Sequence, residues 1–413
     1  MPHSGPAPSP QLPSIGVRIP PWVGFTRNIW QGLLEAATIT GGWRFVVDRT
    51  KSLGELPPVS LNEDWSGDGF ITFRMSEEEG KTWSAANMPV VNLSSEGPSP
   101  GFPRVIPDNE QAGRIAAQHL SAAGLPNLAY IGRQTSIHAN PAWASGTPRR
   151  YSLERWNGFA EEARKKGFHP TCHFLSGRDL AKKEAWKGIE KEICTFLKTL
   201  PIPCGIFAAD DQLALVIMRA TRVLDMEVPQ EISVVGFGDD PEVCFTALPP
   251  LTSVAYPGKA IGLHAAKALT DLMQGGHPPE TIRVPVSSVV ERGSSAFLPS
   301  NDPIVGKLLH FIREQAPARP LQVAELPDLT PWGSTTVKKK ILNVLGHGPK
   351  EEIKRVRVAR LKNLLSSTDL PLAEISISMG FGSPQDMSRF CTRETGQTPS
   401  EFRSNSRGRP SEA

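Results

Sequence analysis

The stretch Cys204-Gly-Ile-Phe-Ala-Ala-Asp-Asp-Gln-Leu-Ala-Leu-Val-Ile-Met218 decides the fold class. Residues 204–208 are small or apolar and carry no charge, as a strand covered on both faces requires. The pattern then turns helical over 211–224 and returns to an apolar strand at 232–236. Upstream, the same alternation gives helix 152–166, strand 171–175 and helix 184–200; downstream it gives helix 257–274 and strand 281–286.

Nearer the start, Ser14-Ile-Gly-Val-Arg18 reads as a strand. A helix over 26–37 places Ile29, Leu33, Leu34 and Ala37 on one face. Strands follow at 43–47, 69–73 and 89–93. Asp108 is suited to cap a helix over 109–123, whose apolar side holds Ala116, Leu120 and Ala123, and 128–132 is the next strand. Nearly all-apolar strands alternating with helices predict parallel sheets covered on both faces. Roughly 275 residues of this pattern exceed one core and predict two lobes. Ligands in such folds bind beyond the carboxyl ends of the strands, here in the cleft between the lobes.

The 413 residues suggest two to three domains at roughly 100–200 residues each. With 39% hydrophobic and 21% charged residues, the composition is that of a soluble globular protein. The sequence contains no apolar run near the ~20 residues a bilayer span needs, so no membrane partner is expected. Residues 1–13 are rich in Pro and Ser, without a basic segment or an apolar core, and are expected to be a disordered leader rather than a secretion signal. The five Cys (Cys172, Cys194, Cys204, Cys244 and Cys391) form no C-x-x-C pair and are expected to be buried, reduced filler of a cytoplasmic protein. Nine scattered His give no metal spacing, and neither metal nor cofactor is expected. Residues 301–413 hold 17 Lys and Arg against 12 Asp and Glu, whereas the rest of the chain is slightly acidic. The basic third hints at an anionic partner.

Gly, Ser and Pro cluster at 294–301 and end the alternation. Beyond them the pattern is helical only: a stripe of Ile304, Leu308, Leu309 and Ile312, another of Val356, Ala359, Leu361 and Leu364, and two short helices around Gly380-Phe-Gly-Ser383. Met387 and Phe390 face inward on the last of these, which leaves Gln385, Asp386 and Arg389 outward. Arg and Gln suit base edges in the major groove.

This stretch, with Gly380-Phe381, Ser383, Gly396, Thr398-Pro399 and Phe402-Arg403, resembles the second helix-turn-helix of AraC-type transcription activators. The resemblance implies that Ser383, Pro384, Gln385, Asp386 and Arg389 occupy base- and phosphate-contacting positions. It also implies an earlier helix-turn-helix near 321–345, where Ala324 and Ser334 match and Lys338, Lys339 and Lys340 follow. Pro327 and Pro331 interrupt that unit, so Thr336 and Lys340 are expected to make mainly backbone contacts.

The phrases Gly205–Leu215 and Val228-Pro-Gln-Glu-Ile-Ser-Val-Val-Gly-Phe-Gly-Asp-Asp-Pro-Glu242, together with Leu251–Val254, Asp108-Asn109 and Arg155-Trp-Asn-Gly-Phe159, resemble the effector domain of lac/galactose-repressor-type regulators. That resemblance implies a two-lobed, type I periplasmic-binding-protein-like α/β domain over 14–292. A linker over 293–303, an all-α AraC-type double helix-turn-helix domain over 304–404 and a disordered tail over 405–413 would follow. It further implies a monosaccharide effector held by Asp210 and Arg155, with Trp22, Phe25 and Arg27 contributing from the first lobe. Asp211 reads as a helix N-cap. The family's acidic residue after Gly-Phe is here Gly238, so either Asp239 takes its role or the site has lost a carboxylate.

An effector domain followed by an AraC-type module resembles the arrangement of xylose operon regulators. It implies a sugar-responsive, DNA-binding activator, a homodimer that meets promoter DNA and RNA polymerase. An exported sugar-binding protein of transport or chemoreception type is the alternative. The sequence lacks G-x-S-x-G, G-x-x-x-x-G-K-[ST], G-x-G-x-x-G and H-E-x-x-H, and no catalytic residue is expected.

Overall fold

A computed structural model describes residues 12–20, 24–39, 41–47, 67–134, 148–176, 183–297, 303–368 and 370–406. The expected leader (apart from residues 12 and 13), Trp22, residues 298–302 of the expected linker and residues 407–413 of the expected tail lie outside these residues.

The first lobe opens with β1 (Ser14–Arg18), α1 (Gly24–Ile39), β2 (Arg44–Val47) and β3 (Gly69–Thr72), then α2 (Glu77–Ala85), β4 (Val90–Asn92) and β5 (Arg104–Pro107). The chain crosses over through α3 (Asn109–Ala122). The second lobe is β6 (Asn127–Arg133), α4 (Arg150–Lys165), β7 (Thr171–Leu175), α5 (Lys183–Leu197), β8 (Cys204–Ala208), α6 (Asp211–Val223), β9 (Ile232–Gly238), α7 (Pro241–Cys244) and β10 (Thr252–Ala255). It returns through α8 (Gly258–Met273) to β11 (Thr281–Val284) in the first sheet and ends with β12 (Val289–Val290) in the second.

The first sheet runs β11-β5-β4-β3-β1-β2 and the second β12-β10-β9-β8-β6-β7. All pairings are parallel except β10 with β12. β1, β8 and β9 are buried along their whole length, as their uncharged interiors demanded. Three chain crossings between the sheets bring the carboxyl ends of the central strands toward one cleft.

Some elements escape the sequence pattern. In α2 only Gly80 and Trp83 are buried, so it shows no apolar stripe; a capping box starts it, in which Ser76 Oγ accepts from Glu79 N at 3.1 Å and Glu79 Oε2 accepts from Ser76 N at 2.7 Å. β5 is four residues long and opens with Arg104.

The third part is all helical: α9 (Pro303–Gln315), α10 (Ser334–Leu345), α11 (Pro349–Ser367), α12 (Leu372–Ser378), α13 (Pro384–Thr395) and α14 (Pro399–Ser406). Before α10 the chain makes two 3-10 turns, Val323–Glu325 and Pro327–Leu329, instead of one helix, because Pro327 lacks the N–H a continuing helix needs. α10 packs with α9 around Leu309, Ile312, Val337 and Ile341, and α12 and α13 close a separate core around Leu365, Ile375, Met379, Met387 and Cys391. Cys204, Cys244 and Cys391 are buried, but Cys172 is exposed, which corrects its assignment as filler: it lies on β7, an edge strand of the second sheet.

Candidate functional site

Arg155 is the centre of the cleft. It is 5% exposed. Its Nε donates to Asn109 Oδ1 at 3.0 Å and its Nη1 to the Ala209 carbonyl at the end of β8. The guanidinium lies 3.5 Å from the ring centre of Phe237 and 4.8 Å from that of Tyr151. Burial pushes its pKa down. α4 therefore delivers this side chain inward, as the sequence suggested, and fixes it on both sides.

Asp210 stands between β8 and α6 in extended backbone and is the N-cap: its Oδ1 accepts from Leu213 N at 2.8 Å. It also binds Arg133, the last residue of β6, in a two-point pair with Nε at 2.5 Å and Nη2 at 2.9 Å. Burial alone would raise its pKa, but Arg133 and the Leu213 N–H hold the carboxyl below the usual range. Asp211 was expected to be the cap, and this is corrected. It is the first helical residue and turns inward, 4% exposed. Its carboxylate accepts from Ser253 Oγ at 2.6 Å and from Asp240 N at 3.0 Å. Burial, with Asp239 and Asp210 nearby, pushes its pKa up to about 7.

That carboxylate also accounts for Gly238. A Cβ there would lie 2.8 Å from Asp211 Oδ2, and the residue has φ +139°, a left-handed conformation that favours glycine. Asp239 does not stand free in its place. Arg292 binds it at 2.7 Å, and burial raises its pKa against that pull.

The lobes touch around this cluster. Tyr151 N in α4 donates to Oε1 of buried Glu96, which follows β4, at 3.1 Å. Glu154 accepts from Asn109 Nδ2 at 2.9 Å and from Arg283 Nη2 of β11 at 3.2 Å. Arg27 pairs with Glu242 across the lobes at 2.6 Å, but the side chains are 62% and 70% exposed, so Arg27 lies outside the buried cluster it was expected to join. Phe25 is in α1, with its side chain outside the described residues, as is the whole of Trp22.

In the helical part, α10 and α13 are the two candidate recognition helices. On α13, Met387 and Cys391 are fully buried and Phe390 is packed beside them, which turns Gln385 and Arg389 outward. The Arg389 side chain is 78% exposed and pairs with Asp386 at 2.7 Å. Ser383 and Asp386, expected to face DNA, are engaged locally: Ser383 Oγ caps the helix by accepting from Asp386 N at 3.1 Å and donates to Asp386 Oδ2 at 2.7 Å. Pro384 is exposed at the first turn. On α10, Thr336, Lys338 and Lys339 are exposed, while Lys340 is held 4.4 Å from the ring centre of Trp332.

A model of the periplasmic binding protein-like domain matches residues 117–295, and one of a helix-turn-helix domain matches residues 332–405. The chain is 28% identical over 309 residues to the xylose operon regulatory protein of Haemophilus influenzae, which spans 74% of this chain and 76% of that one. It is 26% identical over 346 residues to the protein of the same name from Escherichia coli K12, which spans 83% of this chain and 85% of that one. Among solved structures, one titled xylose-binding transcription activator superposes with a TM-score of 0.59 at 22% identity, covering 96% of this chain and 99% of that one.

The chain is similar to xylose operon regulators and is a sugar-responsive transcription regulator.

In this regulator a sugar-responsive domain is followed by an AraC-type DNA-binding module. Sequence reasoning overlooked Arg357, which joins the two halves of that module. It is 6% exposed in the middle of α11. Nη1 donates to the carbonyls of Ala316 at 2.9 Å and Arg319 at 2.7 Å, and Nη2 to that of Met379 at 3.0 Å. The turn it holds needs glycine: Gly380 has φ +66°, and a Cβ would meet the Ala318 carbonyl at 2.8 Å. The regulator's closing phrase is structural too. Thr398 Oγ1 accepts from Glu401 N at 3.3 Å, Phe402 packs on the second core, and Arg403 donates to the Leu370 carbonyl at 2.7 Å. No helix among the described residues is long and apolar enough to cross a membrane.

Proposed function

We propose that a monosaccharide of pentose or hexose size binds between the lobes, against Arg155, Asp210 and Arg133, and sets the affinity of α10 and α13 for promoter DNA. The observation that carries this is the buried polar cluster at the strand ends, in which Glu96 of one lobe accepts from Tyr151 of the other. Hydroxyls need paired donors and acceptors, and the Asp210–Arg133 pair offers both. Asp239, already bound by Arg292, contributes at the rim. On DNA, Gln385 and Arg389 read bases, Thr336 and Lys340 bind the backbone, and Ser383, Pro384 and Asp386 position the helix start.

The working unit is a homodimer that bridges two half-sites and meets RNA polymerase. Support comes from exposed apolar residues on the second lobe, Val223 at 61% and Leu248 at 73%, whose segments are tied by the bond from Arg222 to the Leu248 carbonyl at 2.6 Å. The regulator performs no chemistry on its effector, and the cluster consists of binding groups held by pairing rather than of a nucleophile beside a base. The test is Asp210→Asn, which keeps the helix cap but releases Arg133. It should lose sugar-induced stabilisation and keep promoter binding. Full sugar stabilisation in this variant would reduce Asp210 to a cap.

A further inference from the structure

The cleft holds more cationic than anionic charge, and the excess sits where an effector would lie. Arg74 follows β3 by two residues, at the carboxyl end of the first sheet, and Arg149 immediately precedes α4 in the second lobe. The Arg149 N–H bonds to the Arg133 carbonyl at 2.9 Å, so it stands beside the Asp210 pair. The Nε atoms of Arg74 and Arg149 are both buried and lack a hydrogen-bond partner. The two guanidiniums repel each other, and burial followed by Arg149 drives the Arg74 pKa down.

The other charges of the cluster do not compensate them. Asp210 is bound by Arg133, Asp239 by Arg292, and Glu154 by Arg283 and Arg150. Arg155 binds only neutral acceptors, Asn109 Oδ1 and the Ala209 carbonyl. Glu96 lies near Arg74 but accepts from the Tyr151 N–H. Arg74 and Arg149 thus carry buried N–H groups that no carboxylate of the described residues accepts. A buried guanidinium N–H without an acceptor is costly, and a carboxylate or phosphate can satisfy the fork at two points.

We infer that the effector is an anionic sugar, a pentose or hexose derivative whose carboxylate or phosphate is clamped by Arg74 of one lobe and Arg149 of the other, while Asp210 and Arg133 take its hydroxyls. This rests on the reading of the cleft as the effector site and specifies the class of ligand. Because the two arginines come from different lobes, the anion draws the lobes together, and closure depends on the charge of the ligand as well as on its hydroxyls.

The experiment measures binding to the full chain by calorimetry and thermal shift. The probes are D-xylose and D-xylonate, D-glucose, D-glucuronate and D-gluconate, D-galactose and D-galacturonate, and D-xylose 5-phosphate and D-glucose 6-phosphate. At least one acid or phosphate should bind about tenfold or more tightly than the neutral sugar of the same skeleton. A preference for carboxylates or for phosphates assigns the anion. Arg74→Gln and Arg149→Gln should each erase the difference, and Arg74→Lys should restore part of it, which separates charge from folding. A neutral sugar that binds as tightly as its acids, or an acid advantage that survives both Gln variants, overturns the inference and leaves the sugar reading intact. Binding by none of these probes overturns both.

Discussion

In the cleft, Arg155 is 5% exposed and is met by a side-chain amide, a strand-end carbonyl and two aromatic rings. On α13, the Arg389 side chain is 78% exposed and meets one carboxylate of its own helix. The residue type is the same and the embedding is opposite. A buried arginine is placed by groups from several elements, so its removal disturbs structure and ligand binding together. An exposed one is placed by a single helix and stays hydrated, so its removal is expected to affect DNA binding alone. Burial therefore separates arginines that hold the structure, such as Arg155 and Arg357, from those free to meet a partner, such as Arg389.

Burial should have its largest effect at Asp211. Its folded pKa of about 7 lies above the ordinary 3.8, so between about pH 4 and 7 the folded state holds a proton that the unfolded chain has lost. Stability from this group is full at low pH, falls by up to ~4 kcal/mol as pH rises to 7, and is flat above. Urea titrations across that range should show the slope, and Asp211→Asn should flatten it. Parallel slopes in the two proteins would refute the assignment.

Next in size is Arg357→Ala, which strands three carbonyls, two of them buried, and should cost ~3 kcal/mol. The melting transition of the helical module should move down, with effector binding preserved. Unchanged melting would mean that the two halves of the module do not depend on this staple.

Arg389→Ala should cost roughly 1–3 kcal/mol of specific DNA binding with no change in melting or effector affinity. A drop in melting temperature instead would erase the contrast between exposed and buried arginine. The smallest effect is expected at Arg27 and Glu242, an exposed pair that salt and solvent screen. Arg27→Ala should leave the melting temperature and effector affinity unchanged within error, and a clear loss would bring Arg27 into the site after all.

The parts legible in the sequence were those encoded locally. The buried strands showed in uncharged runs such as 204–208, and the second helix-turn-helix in Gly380, Ser383 and Gly396, each of which serves the geometry of its own turn or cap. The first helix-turn-helix was legible as an interruption, because Pro327 acts on its own backbone. What was not legible depends on distant partners. Arg133, Arg74 and Arg149 lie at strand ends and before a helix, and only the folded sheets bring them together. Arg357 reads as one more charge in a polar helix until Ala316 and Met379 are seen beside it. Between Asp210 and Asp211, two identical residues in sequence, the backbone at the strand end decides which one caps and which one is buried.

The buried cleft and the exposed helices are expected to form one linked system. The most direct test of this linkage is the affinity for a promoter fragment carrying both half-sites, measured with and without saturating effector, beside the effector affinity measured with and without that DNA. Linkage requires the two ratios to be equal, and a coupling of ~1–3 kcal/mol would make them about 5–150-fold. Equal ratios of that size are expected on the paired site and a ratio near one on a single half-site. Ratios near one on the paired site would contradict the linkage.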